Sequence, residues 1–167
     1  MSCLGVHFAL TDSEIKKLKS ILDEQDRLDY LKEVLEEKYF DGEKKYAGES
    51  DKAWDAMHRT LSDGELTWDG GEYPLNHVVL AGELLYTGDD YIMSLKNPSQ
   101  VKEIAKAIEK ISEGDFRKKY FKINPEGYGF ELTEDDFEYT WDWFQNVRKL
   151  YERAALENRY VLFTADQ

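Results

Sequence analysis

The stretch CLGVHFALTDSE, residues 3–14, decides the fold. Its apolar side chains at positions 4, 6, 8 and 10 alternate with small or polar residues, and this period of two predicts a β-strand. Thr11 and Glu14 follow with the spacing of a capping box, in which each side chain accepts a hydrogen bond from the other residue's backbone N–H group. We therefore expect a strand that leads directly into a helix.

Similar signals predict further helices and strands. Helices are expected from Thr11 to about residue 22, over 26–40, over 51–62 after a cap at Ser50, from Asn97 to 111, from Ser112 to 121 and from Thr133 to 157. Strands are expected over 78–86, 91–95 and 160–164, and polar loops over 41–49, 63–74 and 124–132. These elements predict an α+β fold. It is one domain over residues 1–167, in which a small sheet including the N- and C-terminal strands packs with about six helices.

Composition limits the classes of function. The chain has 167 residues, 41% of them hydrophobic, which suits one packed core and argues against disorder. Its one cysteine excludes an internal disulfide and a cysteine-based zinc cage. No segment has the pattern of a signal peptide or the length of a membrane-spanning helix, so we expect a cytoplasmic protein that does not bind membranes.

The charge is strongly negative and unevenly spread. The net charge is −13, which would repel nucleic-acid backbones, so no nucleic-acid partner is expected. Residues 60–95 contain seven acidic residues and no Lys or Arg, and residues 126–142 contain another seven and again no Lys or Arg. Such runs are commonly solvated surface, but they also suit a surface that attracts a basic protein partner.

The last predicted helix supports a partner-binding surface. Trp141 and Trp143 lie about 200° apart around this helix, so they cannot both face one side of the core. Either the helix is sandwiched between layers, or the face with Tyr139 and Trp143 is partly exposed beside the acidic residues. In the second case carboxylates would steer a basic partner and the aromatic residues would anchor it. The candidate partner-binding residues are Glu131, Glu134, Asp135, Asp136, Tyr139, Asp142 and Trp143.

The search for chemistry leads to the third predicted helix. Asp55 and His58 are three residues apart and could contact one metal ion, but no second pair matches them and catalytic zinc needs three protein ligands. His58 could equally be a buried, hydrogen-bonded core residue. No nucleophile elbow or glycine-rich nucleotide motif is present, so we assign no catalytic residue, metal or cofactor. The candidate ligand-site residues are Asp51, Trp54, Asp55, His58, Trp68 and His77.

The string DKAWDAMH, residues 51–58, carries a family resemblance. This string resembles the YfbM-like family of uncharacterised bacterial proteins, a domain of unknown function. Four other features fit the same resemblance: the N-terminal Met-x-x-x-Gly strand, Pro74-Leu75 before 78–82, the helix after Pro98 and the long closing helix. The resemblance spans essentially the whole chain. It implies a single α+β domain and makes Asp51, Trp54 and His58 family-pattern positions, but it implies no activity.

The sequence therefore leads to two hypotheses of function and one further alternative. The first is a non-enzymatic acidic protein-binding domain, such as an immunity protein that inhibits a basic toxin by occlusion. The second is a small-molecule-binding or hydrolytic domain, with a cleft between the third helix and the loop around Trp68 that uses Asp51, Asp55, His58 and His77. A homo-oligomeric scaffold is the third, and the sequence leaves the partner and the oligomeric state open.

Overall fold

A computed structural model describes residues 3–167, so Met1 of the N-terminal pattern lies outside the described residues. The described part contains one five-stranded antiparallel sheet with the order β2-β1-β5-β4-β3. The sheet includes both terminal strands, as predicted, and these strands, β1 and β5, pair with each other at its centre. The strands are β1 (Gly5–Leu10), β2 (Ala47–Asp51), β3 (Glu83–Leu84), β4 (Tyr91–Lys96) and β5 (Tyr160–Asp166).

Seven helices in residues 3–167 complete the predicted α+β fold. The predicted caps at Thr11, Asn97, Ser112 and Thr133 are confirmed, because each side chain accepts a backbone N–H from the first helical turn. No helix in this part of the chain is both long and apolar enough to cross a membrane. The helices are α1 (Asp12–Ser20), α2 (the continuous segments Glu24–Tyr30, Leu31–Leu35 and Glu36–Asp41), α3 (Trp54–Leu61), α4 (Pro98–Glu109), α5 (Glu113–Tyr120), α6 (Pro125–Tyr128) and α7 (Glu134–Leu156).

The sheet is covered by helices on both faces. Phe8 of β1 packs against Tyr39 of α2, with ring centroids 5.9 Å apart. His7, the preceding residue, points to the opposite face, where its ring lies 5.6 Å from that of Tyr151 in α7. We call these the α2 face and the α7 face. Because helices cover both faces, the side chains of Phe8 and His7 are both fully buried, although His7 is polar.

The prediction of one strand over residues 78–86 is wrong. Only Glu83–Leu84 pair with β4, and residues 78–80 instead cross the α7 face of the sheet. Their carbonyl groups accept hydrogen bonds from side chains: His7 and Tyr151 each lie 2.7 Å from the carbonyl of Val78, and Lys96 lies 2.5 Å from that of Val79. Side-chain donors thus satisfy the carbonyl groups that a neighbouring strand would otherwise satisfy. The prediction failed because a buried apolar segment of this kind has the same hydrophobic pattern as a strand.

Two predictions before the third helix are also wrong. Residues 41–49 are not simply a loop, because they contain the short turn Lys44–Tyr46 and most of β2. Ser50 does not cap a helix: it belongs to β2, its hydroxyl donates to the carbonyl of Gly5 at 3.2 Å, and α3 begins only at Trp54. β2 is a polar edge strand without apolar alternation, so periodicity does not reveal it. In the predicted loop 124–132, residues 125–128 form α6.

Candidate functional site

The helix α3 uses its two family-pattern side chains for core contacts. The indole N–H of Trp54 donates to the carbonyl of Cys3 at 2.8 Å. His58 is fully buried, and its Nε2 lies 2.7 Å from the carbonyl of Thr67, to which it donates. Burial disfavours the charged imidazolium and lowers the pKa of His58 to about 4. His58 is therefore a neutral residue that holds the 62–72 loop against the helix.

The acidic and histidine residues of the same candidate site are separated. Asp55 pairs with the buried Arg59 at 2.5 Å, Asp51 accepts the hydroxyl of Tyr139, and the Nδ1 of His77 lies 2.7 Å from the side-chain oxygen of its neighbour in sequence. Within residues 3–167, no three His, Cys, Asp or Glu side chains come together in a way that could hold a metal ion. These contacts provide no observation that favours a small-molecule site on α3.

The acidic residues around the start of α7 divide into two groups. Asp136 accepts hydrogen bonds from the hydroxyls of Tyr120 and Tyr128, and Glu134 pairs with Arg117, so both serve contacts inside the molecule. The other three candidate carboxylates, those of Glu131, Asp135 and Asp142, are exposed.

The two candidate aromatic residues of α7, Tyr139 and Trp143, are partly buried. The rings of Tyr139 and Trp143 meet edge to face, with centroids 6.5 Å apart. Asp135, Tyr139 and Trp143 follow one another at four-residue spacing, so they share one side of the helix. This side leads towards β2 and a pocket that Trp143 helps to line.

This pocket, which we call the acidic pocket, has a volume of about 360 Å³. The strand register explains its position: the start of β1, the end of β2, the start of β4 and the end of β5 all lie at the same end of the sheet. Four carboxylates and one ammonium group line it together with aromatic rings. The residues are Leu4, Gly5, Val6, Lys32, Glu36, Phe40, Glu49, Asp51, Tyr91, Trp143, Thr164 and Asp166.

Glu36 and Tyr91 form the half-buried wall of the acidic pocket. The Tyr91 hydroxyl donates to the Glu36 carboxylate at 2.6 Å. Burial raises the pKa of Glu36 above its ordinary value and the nearby charge of Asp166 adds to the rise, although the Tyr91 hydroxyl and Lys32 oppose it. The ammonium group of Lys32 lies 4.9 Å from the centroid of the Tyr91 ring, a cation–π distance. The pocket thus already holds one cation against an aromatic face.

Two backbone irregularities occur at the acidic pocket. The segment Leu31–Leu35 of α2 is π-helical, a rare conformation that is frequent at functional sites, and the pocket residues Lys32 and Glu36 lie within and directly after it. Asp51 has φ +49°, in the left-handed region that residues other than glycine rarely adopt. No sequence signal indicated the π-helical segment, and Glu36, Glu49 and Asp166 were missed as site residues.

A second pocket, which we call the aromatic pocket, opens at the same end of the sheet and has a volume of about 320 Å³. It brings together Trp54 and Trp68 of the predicted cleft, but Asp51, Asp55, His58 and His77 do not line it. Tyr91 belongs to both pockets. The lining residues are Trp54, Leu66, Trp68, Leu80, Leu84, Tyr86, Thr87, Gly88, Asp89, Tyr91, Ile92 and Gln167.

Comparisons with known proteins confirm the resemblance stated from the sequence. The solved structure of YfbM from Escherichia coli, a protein of unknown function, is similar over 97% of this chain and 99% of that chain, with a TM-score of 0.66 and 19% sequence identity, and it shows the shared fold. No curated protein matches the chain. The family described as "Domain of unknown function (DUF1877)" matches residues 1–164. The chain therefore belongs to this family of domains of unknown function.

Proposed function

We propose that this protein is a non-enzymatic, cytoplasmic binding domain for a basic protein, and that it inhibits a basic toxin by occlusion, as an immunity protein does. The observation that carries the proposal is the acidic pocket, where Glu36, Glu49, Asp51 and Asp166 face a single lysine. The exposed carboxylates of α7 lie on the helix whose Trp143 lines this pocket.

The acidic pocket suits a lysine or arginine side chain. Its volume of about 360 Å³ lies near the lower end of the range for ligand pockets, which matches one side chain better than a large molecule. Carboxylates accept charge-assisted hydrogen bonds from a guanidinium or ammonium group, and the rings of Tyr91 and Trp143 supply faces for a cation–π contact. Lys32 beside Tyr91 is a contact of this kind within the protein itself.

Charge outside the pocket would speed the encounter. The net charge of −13 attracts a basic partner from a distance, and the exposed Asp135 and Asp142 lie on the side of α7 that leads to the pocket. Tyr139 and Trp143 would then be covered by the partner and contribute apolar contact area. Asp136 and Glu134 are left out of this surface because neither lines the acidic pocket, two tyrosine hydroxyls donate to Asp136, and Arg117 pairs with Glu134.

A charge-matched pair of variants tests the proposal. Glu36→Gln removes a charge from the pocket and keeps an oxygen that can accept the Tyr91 hydroxyl, whereas Glu37→Gln removes the same charge from the next, exposed residue outside the pocket. Binding of a synthetic arginine-rich peptide is measured by titration calorimetry at about 0.1 M and about 0.5 M salt. We expect Glu36→Gln to weaken binding about tenfold and Glu37→Gln to change it little.

Two results would contradict the proposal. One is a peptide affinity that does not fall as the salt concentration rises, because exposed charge interactions are screened. The other is an equal loss in the pocket and control variants, which would show that only the net charge matters. The immunity role is tested separately: cells that co-express this protein with a toxin encoded by a neighbouring gene should survive.

A further inference from the structure

We infer that the partner's binding segment carries a bulky apolar side chain about three residues from its cationic one, and that the aromatic pocket receives the apolar side chain. The inference rests on the proposed function and adds the chemistry of the partner to it. The acidic pocket supplies the charge recognition, and the aromatic pocket supplies a separate apolar contact.

The aromatic pocket collects large apolar side chains at the surface. Trp68 is 43% exposed, Leu84 42% and Leu66 37%, and all three line the one pocket. Isolated exposed apolar residues are ordinary, but a cluster that lines a concave surface marks a site of contact with a partner. Trp54 and Leu80 form a buried floor beneath them, so a side chain that enters the pocket would be shielded from water on several sides.

The two pockets are neighbours at the same end of the sheet, because Tyr91 lines both. Asp166 lines the acidic pocket and the next residue, Gln167, lines the aromatic pocket, and consecutive residues of an extended chain point to opposite sides. Two pockets that share one tyrosine side chain lie roughly 10 Å apart, and an extended chain advances about 3.3 Å per residue. A segment that crosses this end of the sheet would therefore reach from one pocket to the other with about three residues.

Charge assigns both pockets to the same partner. Ten of the twelve residues that line the aromatic pocket lie within residues 60–95, where seven acidic residues occur without a lysine or arginine. A segment with basic residues on either side of an apolar one is thus attracted to this surface as well as to the acidic pocket.

Two synthetic peptides of equal length and charge test the inference. In the first, a leucine stands three residues from an arginine in an otherwise arginine- and serine-containing sequence, and in the second, serine replaces that leucine. We expect the leucine peptide to bind the wild-type protein about tenfold more tightly, since burial of one leucine side chain has an effect of this size. Trp68→Ala should remove this preference, and the exposed apolar residue Leu22, outside both pockets, provides the control variant Leu22→Ala.

The outcomes separate the inference from the proposed function. Equal binding of both peptides to the wild-type protein would overturn the inference and leave the proposed function standing, whereas binding of neither peptide would contradict both. Glu36→Gln should weaken both peptides by the same factor and preserve the leucine preference, because it acts in the other pocket. Leu66→Ser is the second variant of the aromatic pocket, and loss of the leucine preference in it supports the same conclusion as Trp68→Ala.

Discussion

Acid should destabilise this protein through His7, at the centre of the sheet. The side chain is fully buried, its Nε2 donates to the carbonyl of Val78 at 2.7 Å, and its Nδ1 has no hydrogen-bond partner in the described part of the chain. A proton on Nδ1 would therefore place a charge and an unpaired N–H group in the core. Burial first, and the neighbouring Lys96 second, lower the pKa of His7 from 6.5 to about 3.

The sign and size of the effect follow from these two pKa values. The unfolded chain binds a proton at His7 near pH 6.5, whereas the folded protein binds it only near pH 3. The contribution of His7 to stability is therefore complete above pH 6.5 and is lost as the pH falls towards 3. The loss is about 1.4 kcal/mol per pH unit, or about 2.7 kcal/mol at about pH 4.5. A domain of this size has a free energy of unfolding of about 5–15 kcal/mol, so the loss is a large share of it.

The assay is urea unfolding of the wild-type protein and of His7→Gln between about pH 7 and pH 4.5. The glutamine amide keeps a donor for the Val78 carbonyl but does not titrate, so any constant destabilisation leaves its pH slope unaffected. Groups such as Glu36 and Asp55, whose pKa values burial raises, contribute equally to both proteins and cancel in the comparison. Below pH 6.5 the wild-type free energy of unfolding should fall more steeply by about 1.4 kcal/mol per pH unit. Equal slopes for the two proteins would refute the reasoning.

Three further changes test other contacts by the same unfolding measurement. Asp136→Asn should lower the free energy of unfolding by about 1–3 kcal/mol, because two tyrosine hydroxyls lose a charged acceptor, and it should leave peptide binding unchanged. Burial lowers the pKa of Lys96, so above neutrality the unfolded chain binds more protons than the folded one, and wild-type stability rises with pH towards 10.5. Lys96→Met removes this group and should flatten that rise. Gly5→Ala should lower the free energy of unfolding by about 1–3 kcal/mol, since its new Cβ would lie 2.6 Å from a ring carbon of Trp54. The control is Gly114→Ala: there the nearest atom is 3.9 Å away, and alanine should raise the free energy of unfolding by about 0.5 kcal/mol.

Signals between neighbouring residues revealed most of the fold. The capping box of Thr11 and Glu14 involves residues three apart, and it predicts the start of α1 correctly. The contacts that set residues 78–80 are different in kind. The side chains that donate hydrogen bonds to their carbonyl groups include His7, which lies 71 residues from Val78 in sequence. A hydrophobic pattern contains no information on such a distant partner. The polar edge strand β2 was missed for a related reason: its pairing with β1, and not its own alternation, makes it a strand.

The same distinction between local and long-range information applies to the charge. The sequence directs attention to two runs of acidic residues, yet none of the four carboxylates of the acidic pocket lies in residues 60–95 or 126–142. Glu36, Glu49, Asp51 and Asp166 come from three separate regions and meet only because the ends of β2 and β5 lie beside α2. Burial is the main cause of the raised pKa of Glu36, and the like charge of Asp166 adds a smaller rise. Under the proposed function, a cation of the partner would enter among these carboxylates, and their arrangement would favour a basic partner more than the net charge alone.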